Sequence, residues 1–160
     1  MGELESRVPQ SVRDALFDLA AGCCEYCLCQ ARFSASPFSV EHIVPRADAG
    51  SSGIGNLALA CMGCNGHKHA AQEALDPLPG ERVRLYHPRR DRWSEHFQWS
   101  ADYAVMIGIT PIGRATVARL HLNRSGVVNL RESLRRLGLH PPQRPASSQE
   151  SADQVDPDAE

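Results

Sequence analysis

No stretch of this sequence is apolar for long enough to cross a membrane, and the opening residues Met1 to Arg7 lack the apolar segment of a signal peptide. The expectation is a soluble, cytoplasmic protein with no membrane partner. No internal repeat is visible, so nothing points to a repeat architecture. Lysine is nearly missing: Lys68 stands against sixteen arginines. At 160 residues the chain can bury one real hydrophobic core but is too short for two ordinary domains.

What the sequence does have is six cysteines. In a reducing compartment these are metal ligands or buried thiols rather than disulfides, a preference that secretion would reverse. Two Cys-x-x-Cys pairs, Cys24 with Cys27 and Cys61 with Cys64, bracket the segment Val40 to Pro45, and the second runs straight into Asn65, Gly66, His67, Lys68 and His69. A two-residue spacer lets each pair chelate from a tight turn, so four thiolates can surround one tetrahedral ion, most naturally zinc. Two unrelated pairs or a redox site is the duller alternative. Cys23 and Cys29 flank the same knuckle, but Cys24 and Cys27 repeat the spacing of Cys61 and Cys64 and are preferred. The 33 residues between the pairs exceed what a minimal ribbon needs, so the ion would pin the ends of an inserted hairpin.

The formal charge of -2 is unevenly placed, because residues 141–160 hold five acids and one base. Removing that -4 leaves residues 1–140 at +2. Arg82, Arg84, Arg89, Arg90 and Arg92 fall within eleven positions, a patch able to meet phosphates unless it is simply a solvated arginine face.

Helical spacing of Val12, Ala15, Leu16 and Leu19 predicts a helix over 11–21, with Ser11 as N-cap and Gly22 as its stop. Residues 37–44 favour a strand ended by Pro45, the glycines and serines of 48–55 a loop, and 56–60 a second strand. Asn65 to about Leu75 reads as a helix. Phe97 and Trp99, then Val105, Ile107 and Ile109, alternate as a β-hairpin turning near 100–102. Thr110-Pro111 starts a helix carrying Val117, Leu120 and His121. Arg131 to Gly138 gives another, with Leu134 and Leu137 facing in. Beyond His140 the chain is rich in Pro, Ser and acids, and disorder is expected over 141–160.

Cys24-x-x-Cys27, Glu41-His42-Ile43-Val44-Pro45, Asn56 to Ala60, Cys61-x-x-Cys64-Asn65 and Lys68, in that order, resemble the HNH endonuclease family. The likeness is to its zinc-stabilised branch, whose active site is a ββα-metal (His-Me finger) unit, and it covers about residues 20–75. Residues 81–138 resemble the C-terminal extension of short bacterial members, to which no chemistry is assigned. The implied fold is α+β: a ββα-metal core with a four-cysteine zinc knuckle, extended by a C-terminal β-hairpin and helices. The implied layout is an N-terminal helical segment over 1–22, the nuclease core over 23–76, the extension over 77–140 and the tail over 141–160.

The resemblance implies a role for each matching residue. His42 is the general base for water attacking a phosphodiester, and an imidazole suits that role near neutrality. Glu41 stands at a metal-ligand position where many members have Asp. Asn56 ties the loop and orients His42. Asn65 occupies the third signature position as a ligand, making this an HNN variant, and an amide oxygen can ligate a hard cation. His69, four residues on along the expected helix, is a further candidate ligand, and Lys68 a phosphate contact. Arg89, Arg90 and Arg92 are candidates to track the nucleic-acid backbone. The expected ions are structural Zn²⁺ and a catalytic Mg²⁺ or Mn²⁺, and the expected partner is DNA, double-stranded by preference. Metal-dependent DNA hydrolysis is one reading; a non-catalytic zinc-bound nucleic-acid or adaptor module is the other. A binding module has no need of Glu41, His42, Asn56 and Asn65 together.

Overall fold

The β-branched residues before Pro45 favour extended backbone, and in the computed structural model they form strand β1 over Ser39–His42. It pairs antiparallel with β2 over Leu57–Ala60, His42 opposite Leu57 and Glu41 opposite Ala58. Single-turn 3-10 helices at Arg46–Asp48 and Ile54–Asn56 interrupt the loop between them. Residues 7–143 are described, so the tail expected to be disordered lies, from residue 144 onward, outside the described residues.

Helix α1, Gln10–Leu19, starts from Pro9 with no side-chain cap, rather than from Ser11. Its inward face is narrower than the spacing predicts. Leu16 and Ala20 pack with Leu57 and Leu59 of β2, with Phe38 and Val40 of the β1 side at the edge, whereas Ala15 and Leu19 stay exposed.

The helix expected from Asn65 to Leu75 is displaced. Helix α2 occupies Met62–Lys68, capped at its start by the Cys61 sulfur accepting from the Cys64 amide. It stops where His69 takes φ 50° and ψ −127°, and Glu73–Leu75 becomes β3, paired with β4 over Arg82–Arg84. Tertiary pairing overrides helical propensity here.

One turn of helix α3, Trp93–His96, leads into β5, Phe97–Trp99, which pairs with β6, Met106–Gly108. The hairpin forms as expected but its second strand faces the other way. Met106 is buried while Val105, Ile107 and Ile109 are exposed. The inward partner of Phe97 is Gly108, where a Cβ would stand 2.4 Å from the Arg114 amide nitrogen of helix α4. That helix, Pro111–Leu120, is capped by Thr110 Oγ1 accepting from the Gly113 amide at 3.0 Å. Helix α5 spans Ser125–Arg136, beginning earlier than expected; it buries Val127, Arg131 and Leu134, and leaves Leu137 exposed.

Among the described residues the fold is therefore mixed helix and strand, with three separate two-stranded antiparallel sheets. One core cluster runs from Cys24, Tyr26 and Cys27 through Cys61 and Cys64 to Tyr86, Phe97, Met106, Leu120 and Val127. The C-terminal segment thus shares its core with the cysteines. Among the described residues no helix is long and apolar enough to cross a membrane.

Candidate metal centre and active site

Five of the six cysteines converge. All six are free thiols, and Cys24, Cys27, Cys29 and Cys61 have sulfurs within 4.8 Å of one another. This tightest quartet differs from the expected set by holding Cys29 in place of Cys64. The reason is local: Leu28 takes a left-handed φ of 61°, which turns Cys29 back so that its carbonyl accepts from the Cys24 amide at 2.8 Å and its sulfur lies 3.2 Å from that of Cys27. Cys64 is fully buried, and its backbone amide donates to the Cys61 sulfur at 3.4 Å. Burial pushes the Cys24 thiol up, whereas hydrogen bonds from Cys24 and its neighbours hold Cys27 and Cys61 down. A cluster of this kind, with soft donors and some thiols poised to ionise, suits zinc.

Glu41 and His42, adjacent on β1, point to opposite faces, as alternation along a strand requires. Glu41 faces inward and is 3% exposed. Its Oε1 accepts from Lys68 Nζ at 2.5 Å and its Oε2 from the Tyr26 hydroxyl at 2.6 Å, while Lys68 also donates to the Ile43 carbonyl at 3.1 Å. Burial pushes the Glu41 carboxyl above the usual carboxylate range, against the pull of Lys68 and Tyr26. Lys68 itself is 1% exposed, so the expected phosphate contact is instead an internal counter-ion. Sequence reasoning missed Tyr26, which sits inside the first Cys-x-x-Cys and carries no signal of its partner 15 residues on.

Glu41, the expected anchor of a divalent ion, is already occupied. Both Glu41 oxygens are engaged, Asn65 is half-buried on α2, and His69 has left the helix and is exposed. The four-residue spacing placed Asn65 and His69 on one helical face, but the helix ends between them. As arranged, these residues do not fit a divalent ion: one bound at Glu41 would have to displace the Lys68 ammonium.

His42 lies on the other face, half-buried, with its Nε2 3.0 Å from Ser52 Oγ. Partial burial and then the nearby Arg46 hold its pKa below the ordinary imidazole value, so the ring is neutral near neutrality. Asn56 organises what surrounds it. Its Oδ1 accepts from the Val44 amide at 2.8 Å, and its Nδ2 donates to the Val44 and Ser51 carbonyls at 3.0 and 2.8 Å. The Asn56 carbonyl also accepts from the Ile43 amide at 2.9 Å. Gly50 makes this closure possible, since a Cβ there would lie 1.8 Å from the Val44 carbonyl oxygen and 2.9 Å from Asn56 Nδ2.

The arginine cluster is largely committed within the fold. Arg84 is bidentate to Asp91 at 2.6 and 2.9 Å, Arg82 meets Glu73 at 3.6 Å, and Arg92 lies 4.0 Å from Glu95. Arg89 pairs with Glu25, a buried carboxylate whose Oε2 also accepts from the Leu59 amide at 2.9 Å. Arg89 is therefore a structural ion pair and not an open phosphate contact. Arg90 is exposed, at the rim of a cavity of about 300 Å³ whose walls include Ile43, Val44, Lys68 and His87.

Residues 24–71 match the family model described as HNH endonuclease. Over these residues the chain is similar to HNH endonuclease domains, a similarity that suggests a nuclease or nucleic-acid-related function. No curated protein and no solved structure gave a match.

Proposed function

From the similarity to HNH endonuclease domains over residues 24–71, we propose that this protein hydrolyses phosphodiester bonds of double-stranded DNA with His42 as general base. The observation that carries the reading is a neutral, partly exposed imidazole at the end of a strand, with the amide and carbonyl of Val44, two residues on, both held by the Asn56 side chain. In the tautomer whose Nε2–H donates to Ser52 Oγ, Nδ1 carries the lone pair that removes a proton from the attacking water. In this reading Arg46, exposed four residues after His42, meets the charge of the scissile phosphate, and the exposed Arg90 meets the nucleic-acid backbone away from it. Residues 23–76 act as the catalytic unit, preceded by the helical segment 1–22 and followed by an extension over 77–140. Because Glu41 is engaged by Lys68 and Tyr26, a divalent ion would reach this carboxylate only by displacing the ammonium.

Purified protein incubated with supercoiled plasmid and Mg²⁺ or Mn²⁺, with and without EDTA, should nick it, while His42→Ala should lose activity and keep its fold. Wild-type-like cleavage by folded His42→Ala removes the assignment. The acid limb of the pH profile should lie below about 6.5, because the lowered pKa keeps the base unprotonated further into acid. A second reading, a zinc-stabilised nucleic-acid-binding module without hydrolysis, is favoured by the saturation of Glu41. DNA binding without nicking under every metal condition would select it.

A further inference from the structure

Two arginines of the C-terminal segment reach the thiol cluster. Arg124, just ahead of α5, donates from Nη2 to Cys61 Sγ at 3.2 Å and from Nη1 to Cys64 Sγ at 3.6 Å. Its guanidinium lies flat against the second knuckle, where a Cβ on Gly63 would come within 2.5 Å of Nη2. Arg131, on α5, is 3% exposed. Its hydrogen bonds go to neutral oxygens alone: the carbonyls of Cys27 at 3.2 Å, Leu122 at 2.9 Å and Ala104 at 3.1 Å, and Asn123 Oδ1 at 3.0 Å. Neither arginine forms a salt bridge with a carboxylate among the described residues.

A guanidinium is never neutral in a protein, and burying a cation without opposite charge is costly. Neutral thiols would leave Arg124 without opposite charge, and Arg131 with only carbonyl and amide oxygens and the face of Trp99, 5.0 Å from its Cζ. Four thiolates around a dication, in contrast, carry a double negative charge, which two arginines cancel.

We infer that the C-terminal segment supplies the counter-charge of a thiolate metal centre, Arg124 by donating to Cys61 and Cys64 and Arg131 as a buried cation behind Cys27. Residues 77–140 are then a working part of the metal site, not an appendage to a self-sufficient knuckle. The inference rests on the zinc reading of the cysteines and is independent of nuclease activity.

Zinc content and zinc transfer to a competing chelator, measured on the full chain, test it. Losing partners in the shell around metal ligands typically weakens metal binding about 10- to 100-fold, and Arg124→Met should fall in that range. Arg124→Lys, which keeps the charge but loses the fork, should lie between Arg124→Met and wild type. Gly63→Ala, which displaces the guanidinium without altering any charge, should weaken binding too. In the Co²⁺-substituted protein, the thiolate-to-cobalt charge-transfer bands should shift in Arg124→Met, because Cys61 Sγ, a member of the quartet, loses its N–H donor. For Arg131, zinc removal from wild type should speed hydrogen exchange across Ser125–Arg136 as well as in the knuckle. Folded Arg124→Met holding zinc as tightly as wild type overturns the Arg124 half alone, and unchanged exchange in α5 overturns the Arg131 half. Wild type purified without stoichiometric metal overturns the zinc reading and the inference with it.

Discussion

Lys68 shows how little a residue's type says about its task. A single lysine beside an HNH signature reads as a phosphate contact, yet its ammonium is enclosed with Glu41, Tyr26 and the Ile43 carbonyl. Removing one member of a buried ion pair leaves the other as an uncompensated charge, typically at a cost of about 3–5 kcal/mol. Lys68→Met should therefore lower unfolding stability by about that much, and Glu41→Gln added to it should recover a large part. Denaturant melts of the two variants check this. A folded Lys68→Met protein as stable as wild type would show that the pair carries no weight. For the same reason Glu41→Ala should act first on folding and only then on any dependence on divalent ions.

At the scale of elements, the loop from Val44 to Asn56 does the positioning. It is tied by one amide side chain that makes three hydrogen bonds, and it closes only because position 50 has no Cβ. The atom that a new Cβ would strike is the Val44 backbone carbonyl, which cannot swing aside as a long side chain does. Gly50→Ala should thus move the loop away from β1, releasing Ser52 from His42 and cutting plasmid nicking at least tenfold, with zinc content unchanged because the knuckles lie elsewhere. Nicking assays beside elemental analysis decide it: full activity in the variant would remove the loop from the mechanism, whereas loss of metal would place its effect on the whole fold. The strand-to-helix order around the site was legible in β-branched runs, Pro45 and the knuckle spacing. The end of α2 was not, since it is set by pairing of β3 with β4 and by the left-handed turn at His69.

Over the whole molecule, charge is divided between holding the fold and facing solvent. Of the arginines proposed to track DNA, Arg89 is inside, on Glu25, and Arg90 is outside. Arg89→Ala should therefore destabilise the protein, whereas Arg90→Ala should leave stability alone and weaken DNA binding for unrelated sequences alike. Its log K against log salt slope should fall in magnitude by about 0.9, one phosphate contact. Thermal melts and salt titrations of the two variants separate these outcomes, and an unchanged slope in Arg90→Ala would remove it from the DNA interface. Reading along the chain was enough for the family resemblance, the cysteine pairs, a strand carrying Glu41 and His42 and the hairpin and helices that follow, because spacing, turn residues and alternation are local properties; it did not place the strand's end at His42. It took the folded molecule to bring Cys29 among the thiols, to fill the carboxylate of Glu41 with Lys68 and Tyr26, and to set Arg124 and Arg131 against the cysteine cluster. Those are contacts between segments up to 104 residues apart, selected by the need to match each buried charge with another, and no local pattern records them.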